Sequence, residues 1–104
     1  MIRMFAEVTP GRAPRARHYV GVQWLADRRE LPHPTLALID ERSEGFYLIR
    51  LTKDGTFCGD TWHATGEEAR GQADFEFDRV GDWREIPGDV ADPTSYAIQH
   101  IKTG

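Results

Sequence analysis

Apolar and polar residues alternate over several short stretches of the chain, which is the pattern of half-buried β-strands. The stretch Gly45–Thr52, GFYLIRLT, shows it most clearly, and the following Asp54-Gly55 is typical of a two-residue hairpin turn. We therefore predict that Thr56–His63 returns antiparallel to this strand. Further strands are predicted at Ile2–Val8, His18–Leu25 and Thr35–Asp40.

A two-residue turn would also fix the register of the hairpin, placing Leu51 opposite Cys58. Side chains two positions apart on a strand share a face, so one face of the hairpin is expected to lie under the helix that follows. The expected helix-facing residues are Tyr47, Ile49, Leu51, Cys58, Asp60 and Trp62. A bulge would shift this register and reverse the faces of the second strand.

The sequence Thr65-Gly66-Glu67-Glu68 is a capping box, which predicts a helix from Gly66 to about Asp78. Its buried stripe is expected at Ala69, Ala73, Phe77 and Val80, with Glu76 near the middle of the stripe. Trp83 and Ile86 are expected to anchor an extended segment. Asp92-Pro93 then predicts a short C-terminal helix that ends near Lys102.

These elements predict an α+β fold. It has a four- to five-stranded antiparallel sheet, one helix packed on a face of the sheet and a short C-terminal helix. The 104 residues are expected to form a single domain, 1–104.

The net charge of −4 argues against a general nucleic-acid binder, although Arg12, Arg15 and Arg17 form a basic loop that could contact phosphate. Trp24 is a further candidate contact residue. The one cysteine, Cys58, cannot form an intramolecular disulfide. No signal peptide and no membrane-spanning run is recognised, so we expect a cytoplasmic protein with no membrane partner.

The run Gly59-Asp60-Thr61-Trp62-His63, followed by Glu67-Glu68-Ala69, Gln72-Ala73 and Glu76-Phe77, resembles a family of small bacterial proteins. The resemblance covers roughly residues 46–87 and implies kinship, but it carries no activity. A looser similarity is to HicB-like antitoxins, which also place an Asp-Gly hairpin before a helix that begins Thr-x-Glu-Glu-Ala. The Pro-Gly segment of that family's strands is missing here.

Asp60, His63 and Glu76 are the candidate functional cluster, because each is a polar residue at or beside an apolar position of one strand–helix unit. We expect them to be hydrogen-bonded within the protein, since an unpaired buried polar group is costly. Glu76 is expected to pair with Arg50 or His63 if it is buried. A role as a general base or metal ligand is the alternative. Asp60 and His63 are three positions apart on a strand, so no shared metal ion is expected, and no cofactor motif occurs.

The sequence contains no catalytic signature, so we predict a non-enzymatic binding or interaction module of the accessory, immunity or antitoxin type. A protein partner is expected, and a homodimer is a further expectation because edge strands are templates for pairing. One alternative is a small enzyme or metal-dependent protein that uses Asp60, His63 and Glu76. The other is nucleic-acid binding through the Arg12–His18 loop.

Overall fold

A computed structural model describes residues 1–10 and 33–103 of the chain. The strand predicted at His18–Leu25 lies outside the described residues. In chain order, the described elements are β1 (Arg3–Pro10), β2 (Leu36–Arg42), β3 (Gly45–Leu51), β4 (Phe57–His63), α1 (Gly66–Glu76), β5 (Phe77–Val80), β6 (Arg84–Glu85) and α2 (Pro93–Thr103).

The strands form one antiparallel sheet in the order β4-β3-β2-β1-β5. Strand β6 also pairs with β1, through Met4–Glu85 and Phe5–Arg84, while β5 pairs further along β1, through Val8–Val80. These two short strands share one side of β1, so the sheet is five strands wide within the described residues. The predicted α+β class, with α1 on one face and a short C-terminal helix, is confirmed.

The turn of the β3–β4 hairpin differs from the prediction. The Gly55 N–H donates to the Thr52 carbonyl at 3.0 Å, and the Thr52 N–H donates to the Thr56 carbonyl at 2.9 Å. The loop therefore holds three residues, Lys53 to Gly55, and Gly55 takes the positive φ (93°) that such a loop needs at its last position. As a consequence Leu51 pairs with Phe57, and the predicted Leu51–Cys58 pair is wrong.

A bulge in β4 compensates for the longer loop. Two residues, Cys58 and Gly59, stand opposite Arg50, and Gly59 takes a φ of 109° that a side chain would strain. The one-residue shift of the loop and the one-residue shift of the bulge cancel. The predicted pairs Ile49–Asp60 and Tyr47–Trp62 are therefore confirmed.

The predicted helix-facing side of the hairpin is the wrong one. Helix α1 packs on the opposite face, against Ala37, Ile39 and Leu48, which we call the α1 face of the sheet. Leu51 is buried, but in a second cluster on the other side, the α2 face. Trp62 is 52% exposed instead of buried. The physical reason is that Arg50, which shares the α1 face with Leu48, requires a buried acidic partner, and α1 provides one.

The α2 face is covered by the C-terminal part of the chain. Its buried residues are Phe5, Leu36, Leu38, Leu51, Ile86 and Ala97. The Arg3 guanidinium donates to the carbonyls of Pro87, Gly88 and Val90, at 3.2, 3.2 and 2.9 Å, and so holds the segment before α2 against β1. The C-terminal segment extends over the middle of the sheet and as far as the β3–β4 loop, where Ile98 of α2 approaches Gly55.

Helix α1 begins as predicted and ends earlier than predicted. Thr65 is the N-cap, and its hydroxyl accepts from the Glu68 N–H at 3.1 Å. The Glu68 carboxylate reaches back to the Ala64 N–H at 3.2 Å. The helix ends at Glu76, not near Asp78, because Phe77 turns to extended backbone and starts β5. Phe77 is buried in the α1-face cluster, as predicted, from this strand position.

We predict that Thr65→Ala lowers the free energy of unfolding by about 1 kcal/mol, because it leaves the Glu68 N–H without its hydroxyl acceptor. Thr65→Ser keeps the acceptor and is expected to unfold at nearly the wild-type urea concentration. Equal midpoints for the alanine and serine variants would contradict the role of Thr65 as a cap.

Candidate functional site

A buried ion pair joins the C-terminal end of β3 to the last turn of α1. The side chain of Arg50 is fully buried and that of Glu76 nearly so. The Arg50 Nε donates to Glu76 Oε2 at 2.5 Å and its Nη2 to Oε1 at 2.6 Å, so the guanidinium and the carboxylate meet in a two-bond geometry. The remaining guanidinium nitrogen, Nη1, donates to the Leu48 carbonyl at 3.1 Å. The expected pairing of Glu76 with Arg50 is confirmed.

Three further side chains extend this ion pair into a polar cluster. The Gln72 amide, one helical turn before Glu76, donates to Glu76 Oε1 at 2.9 Å. The Arg50 Nη2 also donates to Thr61 Oγ1 at 3.1 Å, and this hydroxyl lies 2.7 Å from His63 Nε2. Since Thr61 accepts from Arg50, its own proton is available for His63. A neutral His63 protonated at Nδ1 would accept this proton at Nε2.

The surroundings of His63 favour this neutral form. Burial lowers the pKa of His63 below its ordinary value, and the nearby positive charge of Arg50 lowers it further. Glu68 and Glu76 act in the opposite direction, with smaller effects. His63 is therefore held in its uncharged form at the rim of the polar cluster.

The three candidate residues do not converge. Glu76 and His63 belong to the polar cluster on the α1 face, whereas Asp60 pairs with Ile49 and lies on the opposite face. Asp60 is exposed, so the expectation that it is a buried carboxylate with protein donors is wrong. The bulge at Gly59 does not change this result, because the ladder returns to the predicted register before Asp60.

The exposed surface of β4 is the second distinctive feature. Within the described residues β4 is the outermost strand on its side of the sheet. Phe57 and Trp62 are each 52% exposed, and Asp60 lies between them on the same face. Helix α1 covers the other face, so two large apolar side chains and a carboxylate line one outward strip. We call Phe57, Asp60 and Trp62 the β4 edge.

The backbone of the β4 edge points outward at the same three residues. Hydrogen-bonded and non-hydrogen-bonded pairs alternate in an antiparallel ladder. The Thr52 N–H bonds to Thr56, and the Leu51 carbonyl accepts from Thr35 on the β2 side. Leu51, Ile49 and Tyr47 therefore form non-hydrogen-bonded pairs with β4. In β4 their partners are Phe57, Asp60 and Trp62, and the backbone N–H and C=O groups of these three residues point away from β3.

Trp62 is held in place although it is half exposed. Its indole N–H donates to the Glu44 carbonyl at 3.0 Å, and its ring lies so close to Gly45 that a β-carbon there would overlap it. Gly45 also takes a φ of 144°, which favours glycine. Beside it on the sheet, the Arg42 guanidinium lies 4.8 Å from the centre of the Tyr47 ring. The ring of Trp62 is thus a fixed, pre-oriented surface.

Other residues singled out by the sequence play no part in these two sites. Cys58 is buried, and desolvation raises the pKa of its thiol, which suppresses the reactive thiolate. Within residues 1–10 and 33–103, no three His, Cys, Asp or Glu side chains are grouped to hold a metal ion. No helix in this part of the chain is long and apolar enough to cross a membrane. Arg12, Arg15, Arg17 and Trp24 lie outside the described residues.

Sequence reasoning missed Phe57 as a candidate. The alternation in β4 was interpreted with a two-residue turn, which left Phe57 facing the side opposite Leu51. The sequence does contain one signal for the correct register, because a Gly inside a strand pattern, here Gly59, often marks a bulge.

Comparison of the chain with protein-family models, curated proteins and solved structures gives no match.

We predict that Arg50→Met lowers the free energy of unfolding by about 3–5 kcal/mol, because the Glu76 carboxylate stays buried without its guanidinium partner. The double variant Arg50→Met with Glu76→Leu removes both charges and is expected to be markedly more stable than Arg50→Met alone. Urea unfolding of the two variants tests this. A double variant that is no more stable than Arg50→Met would contradict the view that the loss comes from the buried, unpaired Glu76 carboxylate.

The lowered pKa of His63 also predicts a pH dependence of stability. The unfolded chain binds a proton at His63 near pH 6.5, while the folded protein binds it only at lower pH. The contribution of His63 to the free energy of unfolding is therefore fully present above about pH 6.5. It decreases as the pH falls through that value toward the lower pKa of the folded protein. Urea unfolding at about pH 8 and about pH 5 should show a smaller loss for His63→Gln than for wild type. An equal loss would exclude His63 as the source.

Proposed function

We propose that this protein is a non-enzymatic interaction module that binds an extended segment of a partner protein along the β4 edge. The observation that supports the proposal is the coincidence, at Phe57, Asp60 and Trp62, of outward backbone groups with outward side chains. An incoming strand needs both: main-chain hydrogen bonds supply affinity, and alternate side chains supply specificity.

The side chains of the β4 edge suit such a role. Large aromatic residues contribute much of the binding energy at protein interfaces, and Trp is among the commonest dominant contacts. Trp62 is fixed by its bond to Glu44 and by its contact with Gly45, so little side-chain freedom is lost when a partner binds. On the opposite face of the same hairpin, the buried Arg50–Glu76 pair joins β3 to α1.

The enzyme alternative receives no comparable support. Glu76 is held by two bonds from Arg50, and His63 Nε2 is engaged by Thr61. Asp60 lies on the other side of the sheet. A surface depression of about 410 Å³ is lined by Met1, Ile2, Arg3 and residues 85–88, away from all three candidates.

A homodimer through the β4 edge is opposed by charge. The antiparallel register that places Phe57 of one copy on Trp62 of the other also places the two Asp60 side chains directly opposite each other, because Asp60 is the midpoint of the strip. Like charges directly opposite each other on a sheet are destabilising. Asp60 and the Gly59 bulge are devices of the kind that protect edge strands from self-association.

Three further predictions from the sequence stay predictions. Nucleic-acid binding depends on Arg12, Arg15 and Arg17, and a strong salt dependence of binding to DNA or RNA would be its signature. Kinship with the small bacterial family and a cytoplasmic location are likewise part of the proposal. None of the three depends on the geometry of the β4 edge.

The test is selection of binders from a displayed library of random nonapeptides. Wild-type protein is expected to enrich peptides that form strands, and Phe57→Thr should weaken the selected peptides by about tenfold, a typical loss for a truncated interface aromatic. Threonine keeps the strand propensity of the position, so the unfolding midpoint should change little. Phe57→Pro also removes an outward N–H and should weaken binding further.

Phe75→Thr is the matched control, because Phe75 is 53% exposed but lies on α1. Its binding to the selected peptides is expected to equal that of wild type. Loss of binding in Phe75→Thr with full binding in Phe57→Thr would move the site from β4 to α1. Enrichment of no peptide by the wild-type protein would overturn the proposal.

A further inference from the structure

We infer that the β4 edge selects segments with a lysine or arginine between two apolar residues, at positions i, i+2 and i+4 with the basic residue in the middle. This inference rests on the proposed function and adds the chemistry of the partner. The expected ligand is therefore a basic, strand-forming peptide segment.

The spacing follows from the register of the hairpin. Phe57, Asp60 and Trp62 pair with Leu51, Ile49 and Tyr47, which are successive alternate residues of β3. The bulge thus compresses six residues of β4 into the length of five. A strand added to the outer side of β4 meets the three exposed side chains with its own residues i, i+2 and i+4, since directly opposite residues share a face.

The central position calls for a cation. Within the described part of the chain, the Asp60 carboxylate has neither a hydrogen bond nor an ion pair. An aspartate between two aromatic side chains on a strand face gains most from an opposite charge directly across from it. Phe57 and Trp62 would narrow the access of water to that pair from both sides.

The ends of the edge carry further negative charge. Asp54 lies in the loop next to Phe57, and hydrogen bonds from Thr52 and Thr56 lower its pKa, so it stays ionised. Glu44 is exposed and adjoins Trp62 through its carbonyl. Lys53 is the one cation of the three-residue loop. Arg42, which lies 4.8 Å from the centre of the Tyr47 ring, is paired with Asp40 at 3.0 Å, so its charge is compensated. The carboxylates of Asp54, Glu44 and Asp60 along β4 therefore favour a basic segment over an acidic one.

The test uses two capped heptapeptides that differ at one position. The first has the order threonine, isoleucine, threonine, lysine, threonine, isoleucine, threonine, and the second has glutamate in place of lysine. Their pattern is symmetric, so the middle residue meets Asp60 whether the peptide lies parallel or antiparallel to β4. Binding to the full chain is measured by NMR titration. The lysine peptide should bind about fivefold or more tightly than the glutamate peptide.

Reversal of the protein charge gives the sharper comparison. Asp60→Lys should weaken the lysine peptide and strengthen the glutamate peptide, so that their order of affinity inverts. Asp74→Lys is the control, since it makes the same charge change at an exposed position of α1. It should leave the order unchanged. The wild-type preference should also shrink in about 1 M salt, where the screening length is about 3 Å.

The possible outcomes separate the two claims. Equal binding of both peptides at the β4 edge would overturn the charge inference and leave the proposed function intact. Absence of binding by both peptides, or binding that is unaffected by Phe57→Thr, would overturn both. A wild-type protein that sediments as a dimer through β4 would also overturn both, because the edge would then be occupied by a second copy.

Discussion

The arrangement of this domain depends on one constraint: a guanidinium placed on the inner face of a sheet must meet a buried carboxylate. Arg50 is the penultimate residue of β3, on the face of Leu48 and its apolar neighbours, and has no exposed surface. An unpaired charge there would be very costly. Glu76 provides the match from the last turn of α1, through two short hydrogen bonds. With α1 on this face of the sheet, the guanidinium and the carboxylate meet and neither charge is left unpaired.

The choice of face has a consequence for the edge strand. Phe57, Asp60 and Trp62 pair with Leu51, Ile49 and Tyr47, so their side chains project from the face that α1 does not cover. The segment that includes α2 covers the centre of that face at Phe5 and Leu38. It leaves the aromatic side chains of β4 half exposed. The packing of α1 on one face of the sheet thus accounts both for the buried polar cluster and for the exposed β4 edge.

The sequence predicted the local elements well and the long-range faces poorly. The cap at Thr65 and the inner alanines of α1 depend on neighbouring residues, so their signals are direct. The pairs at Tyr47 and Ile49 were predicted correctly, but only because two unpredicted shifts, the longer loop and the bulge, cancel.

The side of the sheet that α1 covers could not be read from apolar alternation, since both faces of β3 carry apolar residues. The buried Arg50 was the useful signal. A charged residue within the strongest strand, with Glu76 on the apolar stripe of the next helix, indicates a pair that must be buried together. The end of α1 was predicted two residues late because Phe77 continues the helical spacing. It satisfies the same core from β5 instead.

The central claim is that the outward backbone of β4 forms hydrogen bonds with a partner strand. Amide hydrogen exchange, measured residue by residue with and without a bound lysine-centred heptapeptide, tests it most directly. We predict slower exchange at Phe57, Asp60 and Trp62, whose N–H groups point away from β3, and little change at Thr61, whose N–H already faces β3. Slower exchange confined to α1, or unchanged exchange at the three edge residues, would contradict this account.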